Sequence, residues 1–273
     1  LDSLIYMVQG QRHIAQREYK EALEIFAKAT KENPRNSEAW YMKGIALERL
    51  DKYKEAITAC DKAITLKPND AKIHNGRAAI LGEWGDSLKG DEKEVEAREK
   101  YEMALESLNK ALEFKKDSPA IYSNRARALY ELERYEEALE ASEKALSLNP
   151  KDAKAYFYRG RIFYKRLEYT KALKDFNTSI KLNPRRVLAH LLKGLTLYEL
   201  NRLDEALGAL DETLNLDPLI DSAYRFKAII FASQGDYEEA LEACEDALQI
   251  KPNEGVLYSN RAFVLNRLER HRE

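Results

Sequence analysis

Apolar and small side chains recur three or four residues apart along most of the chain. Residues 153–186 show this pattern at Tyr156, Gly160, Phe163 and Leu167, and again at Ala172, Phe176 and Ile180. Because three to four residues make one helical turn, each run predicts an amphipathic α-helix. Pro184 follows the second run, and a proline disfavours helical geometry in the residue before it. The segment therefore predicts two helices joined by a short turn.

The same pattern repeats with a period of 34 residues. The pentapeptide YSNRA at 122–126 recurs at 258–262, a separation of four periods. One repeat position is always alanine, at Ala22, Ala56, Ala104, Ala138, Ala172, Ala206 and Ala240. Six prolines share another position, at Pro34, Pro68, Pro150, Pro184, Pro218 and Pro252. One helix pair cannot bury its own apolar face but stacked pairs can, so the period predicts an all-α array of stacked helix pairs.

A third repeat position always holds a small residue. Its members are Gly10, Gly44, Ala78, Ala126, Gly160, Gly194, Ala228 and Ala262. Small residues let the backbones of two helices approach closely. We expect a large side chain at Gly160 or Ala172 to overpack this contact at a cost of roughly 1–3 kcal/mol.

Counting periods divides the chain into seven repeats and part of an eighth. The repeats start near residues 3, 37, 71, 119, 153, 187 and 221, and one further helix starts at residue 255. We predict a single domain of such repeats over residues 1–273. The third repeat carries a 14-residue insertion between 82 and 100. The three glycines of 82–91 predict a loop there, with Trp84 packed on nearby apolar surface and a projecting helix that starts near Asp91.

A 34-residue helix-turn-helix unit with small, aromatic, alanine and proline positions in this order resembles the tetratricopeptide repeat. The resemblance covers essentially the whole chain. It implies a right-handed superhelical α-solenoid. It also implies that the first helix of each repeat lines a concave groove that holds an extended peptide.

Composition narrows the classes of partner. Charged residues make up 34% of the chain, but the net charge is only −2. The sequence therefore lacks the strongly basic character expected of a nucleic-acid-binding protein. No apolar run approaches the ~20 residues of a membrane-spanning helix, so we expect no membrane partner. The two cysteines are far apart in the sequence, which suits a reducing compartment, and we predict a cytoplasmic location.

The sequence predicts neither catalysis nor a bound cofactor or metal. Cys60 and Cys244 share a core position of the repeat, and His13, His74 and His190 occupy positions that predict packing. No HExxH ligand set and no glycine-rich phosphate loop is present. We therefore predict a protein that is not an enzyme.

Register predicts the groove side chains, because some positions of each first helix lie off its buried stripe. The candidates are Asn124, Arg127, Tyr130, Lys154, Phe157, Tyr158, Arg161, Tyr164, Lys165, Leu191, Leu195, Tyr198, Arg225 and Asn260. The middle of this set is basic and aromatic, and the next part is apolar. Clustered cations repel one another unless an acidic group neutralises their charge, so we expect a partly acidic partner. The alternative for the leucines is that they fill contacts between repeats.

The asparagine of YSNRA raises a sharper possibility. The resemblance extends to the carboxylate-clamp subfamily, in which an asparagine at this place helps hold the C-terminal carboxylate of acidic chaperone tails. Around Asn124 the clamp is incomplete, since Ala79 and Tyr158 stand where it needs other residues. Around Asn260 the preceding helix offers Arg225 and then Ile229. The alternative is that both asparagines are inherited and meet only water.

Together these features predict a protein-interaction scaffold that binds an extended, partly acidic peptide or partner segment in the concave groove, centred on repeats four to six. One alternative is a structural array that associates with itself through its terminal helices or its projecting helix. Another is a regulatory segment of a larger enzyme or co-chaperone.

Overall fold

The computed structural model describes residues 2–91 and 93–269, which form fifteen α-helices and no strand. The helices are α1 (Asp2–Gln16), α2 (Tyr19–Glu32), α3 (Ser37–Glu48), α4 (Tyr53–Leu66), α5 (Ala71–Gly90), α6 (Glu94–Phe114), α7 (Pro119–Glu131), α8 (Tyr135–Leu148), α9 (Ala153–Lys165), α10 (Tyr169–Leu182), α11 (Val187–Glu199), α12 (Leu203–Leu216), α13 (Asp221–Gln234), α14 (Tyr237–Ile250) and α15 (Gly255–Arg267). The all-α class and the helix pairs predicted from the sequence are confirmed.

The helices fall into two compact units, with the boundary between Pro150 and Lys151. The first compact unit contains α1 to α8 and the second contains α9 to α15. From α1 to α13, each odd-numbered helix packs on the even-numbered helix that follows it, and α15 packs on α14. The repeated alanines form the centre of these contacts: all seven are at most 1% exposed.

The turn inside a helix pair has one recurring backbone conformation. Arg17, Asp51, Glu133, Leu167 and Asn201 have φ values of 57–62°, and Gly235 has a φ of 92° at the same repeat position. This left-handed conformation reverses the chain direction within a few residues. The apolar stripe predicted through Leu167 is therefore wrong at its end, since α9 stops at Lys165 and Leu167 is 70% exposed in the turn.

The link from one pair to the next is tied by a hydrogen bond that the sequence analysis missed. The donors are the side chains of Trp40, His74, His190 and Tyr258, and the acceptors are the carbonyls of Pro34, Pro68, Pro184 and Pro252, at 2.7–3.0 Å. All four donors occupy one repeat position, six residues after the proline. His74 and His190, which the sequence predicts to be packing residues, thus also stabilise the turn that precedes their own helix.

The predicted loop at 82–91 is wrong. Helix α5 continues through Gly90, and α6 begins at Glu94. The two helices are 20 and 21 residues long and pack on each other, so tertiary contact overrides the low helix propensity of glycine, about 1 kcal/mol. Gly85 is needed for this contact because a Cβ there would lie 2.5 Å from Cε1 of Tyr101.

Trp84 is packed, as predicted, although it lies in a helix. Its ring stacks on Tyr53 with a centroid distance of 6.4 Å, and Nζ of Lys100 lies 4.6 Å from its centroid. The insertion therefore lengthens the third helix pair and extends the core of the first compact unit.

Candidate peptide-binding surfaces

In the first compact unit, the candidate residues bind other side chains of the protein. Nδ2 of Asn124 donates a hydrogen bond of 2.8 Å to Oδ1 of Asn75. Tyr130 is 7% exposed and packs edge-on against Tyr135, with ring centroids 5.4 Å apart. Asn124 therefore meets a side chain of α5, where one alternative had it meeting only water.

Arg127 is an internal ion-pair centre. It is 5% exposed, and its guanidinium donates to Oε1 of Glu83 at 2.5 Å and to Oδ2 of Asp86 at 2.6 Å. Asp86 also accepts a hydrogen bond of 2.6 Å from the hydroxyl of Tyr101. The loop predicted at 82–91 does not bring these carboxylates together, so the sequence analysis does not include this network. The signal was present, since carboxylates three residues apart share one face of a helix.

A further carboxyl close to this network, that of Glu48, lies in surroundings that disfavour its charged form. Burial raises the pKa of Glu48, although the cations of Arg49 and Arg127 oppose the shift. A carboxylate removed from water is stabilised only partly by such neighbours. The ion pairs of this region join the third repeat to the fourth, so its charges are largely neutralised within the chain.

In the second compact unit, α9 places cations over aromatic rings. Asp152 caps the helix by accepting from the backbone N–H groups of Lys154 and Ala155. Phe157 and Tyr158 are buried, although their register predicted positions off the buried stripe. The guanidinium of Arg161 lies 5.6 and 5.3 Å from these two ring centroids. The buried rings thus lie beside a partly buried cation.

The other cations of α9 lie in different surroundings. Arg159 makes two hydrogen bonds of 2.7 and 2.9 Å to the buried Asp175. Lys154 is partly buried and Lys165 is exposed. Tyr164 packs edge-on against Tyr169, 5.5 Å between centroids. α9 therefore combines structural pairs with cations near the surface.

The apolar candidates of α11 belong mostly to the core of the second compact unit. Leu191 is 8% exposed, and Leu195 and Tyr198 pack against the same cluster. The ring of Tyr198 meets Phe226 of α13 edge-on at 5.9 Å. The alternative that the leucines fill contacts between repeats describes Leu191 well.

Helices α13, α14 and α15 line an open cavity of about 240 Å³ that the sequence pattern does not predict. It is lined by Ala228, Ile229, Ala232, Ser233, Cys244, Asn260, Phe263 and Val264. Nδ2 of Asn260 is buried and has no hydrogen-bond partner among the described residues, and the same is true of Nε of Arg225. Asn260 is thus a polar group at an apolar cavity, where one alternative had it meeting only water.

The thiols are poor nucleophiles. Burial raises the pKa of Cys60 to about 12 and that of Cys244 to about 11, so both are neutral at physiological pH. Within residues 2–91 and 93–269 no group of three His, Cys, Asp or Glu side chains could hold a metal ion. Over the same residues, every helix is too short or too polar to cross a membrane.

Family models match most of the chain. Models described as tetratricopeptide repeat match residues 7–71, 119–152 and 191–254, and one described as TPR repeat matches 97–133. A model described as anaphase-promoting complex, cyclosome, subunit 3 matches 138–213. No curated protein matches the chain.

Solved structures show the same fold. A chain of the APC/C hetero-tetramer Cut9–Hcn1 is 17% identical with a TM-score of 0.77; the match covers 88% of this chain and 45% of that one. This chain therefore spans less than half the length of that relative. A tetratricopeptide repeat protein from Parabacteroides merdae is 18% identical with a TM-score of 0.67, over 97% and 99% of the two chains. YrrB, described as a TPR protein with an unusual peptide-binding site, is 25% identical with a TM-score of 0.54, over 74% and 96%.

The period of 34 residues, the helix pairs and the family models agree. The chain belongs to the tetratricopeptide repeat family, whose fold serves as a scaffold for protein–protein interactions.

Proposed function

We propose that the chain binds an extended, partly acidic segment of a partner protein in the groove lined by the first helices of its repeats. The observation that carries the proposal is the charge of α9, which contains Lys154, Arg161 and Lys165 in addition to Arg159, the partner of Asp175, and has no Asp or Glu of its own. Such a helix creates a positive potential that attracts an acidic segment and speeds its association.

Three further features support this site. Helices α9, α11 and α13 are successive neighbours in the second compact unit, so an extended segment can contact each in turn. The rings under Arg161 hold its guanidinium in place, which lowers the entropy lost when it pairs with a carboxylate. YrrB, one of the similar proteins, is described as having a peptide-binding site.

Charge reversal on two faces tests the proposal. Labelled peptides selected from a random library would be measured by fluorescence anisotropy at low and high salt. We expect acidic peptides to be selected, and Lys154→Glu with Lys165→Glu to weaken their binding by about tenfold or more. The matched control is Lys174→Glu with Lys181→Glu, which makes the same charge change on exposed positions of α10. Equal losses in the two double variants would contradict binding at α9.

Exposed apolar side chains on the terminal helices favour a second candidate function, self-association. Leu4 and Val8 of α1 are 71% and 64% exposed, and Val256 of α15 is 49% exposed. Apolar surface of this kind commonly marks an interaction site. Light scattering over a concentration series would show a growing mass that Val8→Lys and Val256→Lys reduce. A mass that stays monomeric at every concentration excludes this candidate.

A further inference from the structure

The two copies of YSNRA sit in different surroundings, and the contrast indicates a binding pocket. The first copy belongs to α7 and the second to α15, and each follows a helix at the same register, α5 and α13. Beside the first copy the space between the helices is only about 10 Å³. Beside the second it is about 240 Å³. The asparagine of YSNRA therefore lines a nearly closed gap in the first copy and an open pocket in the second.

Neighbouring residues explain why the first copy is closed. Asn75 supplies the oxygen that accepts from Nδ2 of Asn124, at 2.8 Å. One turn after Asn124, Arg127 extends its side chain against Gly82 and pairs with Glu83 and Asp86. The gap is filled by protein atoms, and the amide of the asparagine has its acceptor.

Both elements are replaced in the second copy. The register position of Asn75 is held by Arg225, whose guanidinium can donate hydrogen bonds but cannot accept one. The position of Arg127 is held by Phe263, which is 56% exposed. Nδ2 of Asn260 is accordingly buried with no acceptor among the described residues. A buried donor without a partner destabilises the protein, and an acceptor from a ligand would remove this penalty.

The lining defines the ligand. Ile229, Ala232, Phe263 and Val264 make the walls largely apolar, and the volume exceeds the ~150 Å³ of an apolar cavity that takes up benzene. The cavity has room for one large apolar side chain. The donor at its edge requires a carbonyl or carboxylate oxygen beside that side chain, which a peptide backbone provides.

Charge selects the flanking residues. Arg225 lies one helical turn before Ile229, so it faces the same side of α13 as the cavity wall. Its guanidinium lies 5.3 Å from the ring centroid of Phe226, and its Nε is buried without a partner among the described residues. No ion pair of Arg225 is found in the described part of the chain, so an acidic residue of a ligand can neutralise it.

We propose that this cavity, the α13–α15 pocket, binds one large apolar side chain of an acidic partner segment, while Asn260 donates a hydrogen bond to the main-chain carbonyl of that residue. The proposal rests on the proposed function and adds the feature that the bound segment must carry. Arg225 pairs with a carboxylate next to the apolar residue. The first copy of YSNRA takes no such side chain, because its own neighbours fill the gap.

The probe is a series of fluorescein-labelled peptides, Glu-Asp-Glu-X-Glu-Asp-Glu, in which X is Leu, Phe or Ala. Anisotropy titrations of the whole chain should give about tenfold tighter binding with Leu or Phe than with Ala, from the apolar area buried. Ala232→Leu fills the pocket and should abolish this preference. Asn260→Ala should weaken all three peptides by about fivefold. The matched control is Asn253→Ala, an exposed asparagine between α14 and α15, which should change nothing.

The outcomes separate the two proposals. If none of the peptides binds, the proposed function fails and the pocket proposal fails with it. If all three bind equally and Ala232→Leu has no effect, acidic binding stands and the pocket proposal is overturned. A dimer that Ala232→Leu dissociates would show that a second copy of the chain fills the pocket, which also overturns it. Far-UV circular dichroism of each variant shows whether it is folded, and Asn260→Ala keeps the test valid if Ala232→Leu is not.

Discussion

Replacing Gly85 by alanine tests whether the inserted segment is packed helix. The added Cβ would lie 2.5 Å from Cε1 of Tyr101, well inside van der Waals contact. Tyr101 is 1% exposed, so its ring has no free space to move into. Its hydroxyl donates to Oδ1 of Asp86 at 2.6 Å, and any shift of the ring strains this bond. The substitution therefore perturbs the packing of α5 on α6 together with a partly buried hydrogen bond.

Three terms set the magnitude. Alanine is favoured over glycine inside a helix by about 1 kcal/mol. Overpacking of a core costs roughly 1–3 kcal/mol. Weakening a hydrogen bond to a carboxylate costs about 1.5–3 kcal/mol. Together these terms give an expected loss of about 1.5–5 kcal/mol in the free energy of unfolding for Gly85→Ala.

Two glycines provide controls, because a Cβ at Gly90 or Gly208 would meet no atom within 4 Å. Gly90→Ala lies in the same helix, and Gly208→Ala lies inside α12 in the second compact unit. Both should be neutral or stabilising by up to about 1 kcal/mol.

Urea unfolding would be followed by far-UV circular dichroism for the whole chain and by tryptophan fluorescence. Trp40 and Trp84 are the two tryptophans, and both lie in the first compact unit, so fluorescence reports that unit alone. Gly85→Ala should lower the fluorescence midpoint, whereas Gly208→Ala should leave it unchanged. A Gly85→Ala variant as stable as Gly90→Ala would refute the packing of the 82–90 segment described above.

Other substitutions test the charges and the thiols. Burial raises the pKa of Glu48 in the folded state, so the stability contributed by its protonated form is lost as pH rises from the unfolded pKa through the folded pKa. Glu48→Gln should remove this loss and raise the melting temperature at pH 7. A lower melting temperature would contradict this prediction. Arg127→Leu leaves two half-exposed carboxylates without their cation and should lower the free energy of unfolding by about 1–3 kcal/mol, less than the ~3–5 kcal/mol of a fully buried pair. This loss of stability should shrink at acidic pH, where the carboxylates are protonated. A loss that is the same at every pH would show that it comes from packing. In native-state alkylation followed by mass spectrometry, Cys60 and Cys244 should stay unmodified until urea unfolds the chain, because both thiols are buried and neutral. Rapid modification of both in buffer would contradict this and show that the repeats open locally.

Much of the fold was predictable because its determinants are local. The repeated alanines, the small position at Gly160 and the prolines mark helices, close contacts and links within each repeat. The alanines are buried, and a Cβ at Gly160 would lie 2.9 Å from Cε1 of Phe176, as the register implies. The glycines of 82–91 misled the prediction, because a glycine that breaks a helix and one that admits a neighbouring ring are the same residue in a sequence.

The helices that carry the candidate residues were predictable, but the contacts of those residues were not. Register placed Asn124, Arg127 and Asn260 on first helices, and they lie there. It could not show that Arg127 is paired with two carboxylates of α5, or that Phe157 is buried.

The sequence by itself determined the period, the helix pairs and the all-α class, because each follows from patterns within one or two helical turns. The tertiary structure alone decided which of the candidate side chains already bind other residues of the chain. Asn124 and Asn260 have identical neighbours in sequence, yet the first bonds to a residue 49 positions away and the second faces an open cavity. Whether a polar side chain is available to a partner depends on whether another helix supplies its hydrogen-bond acceptor. That helix is far away in the sequence, so the residues around the side chain do not predict the contact.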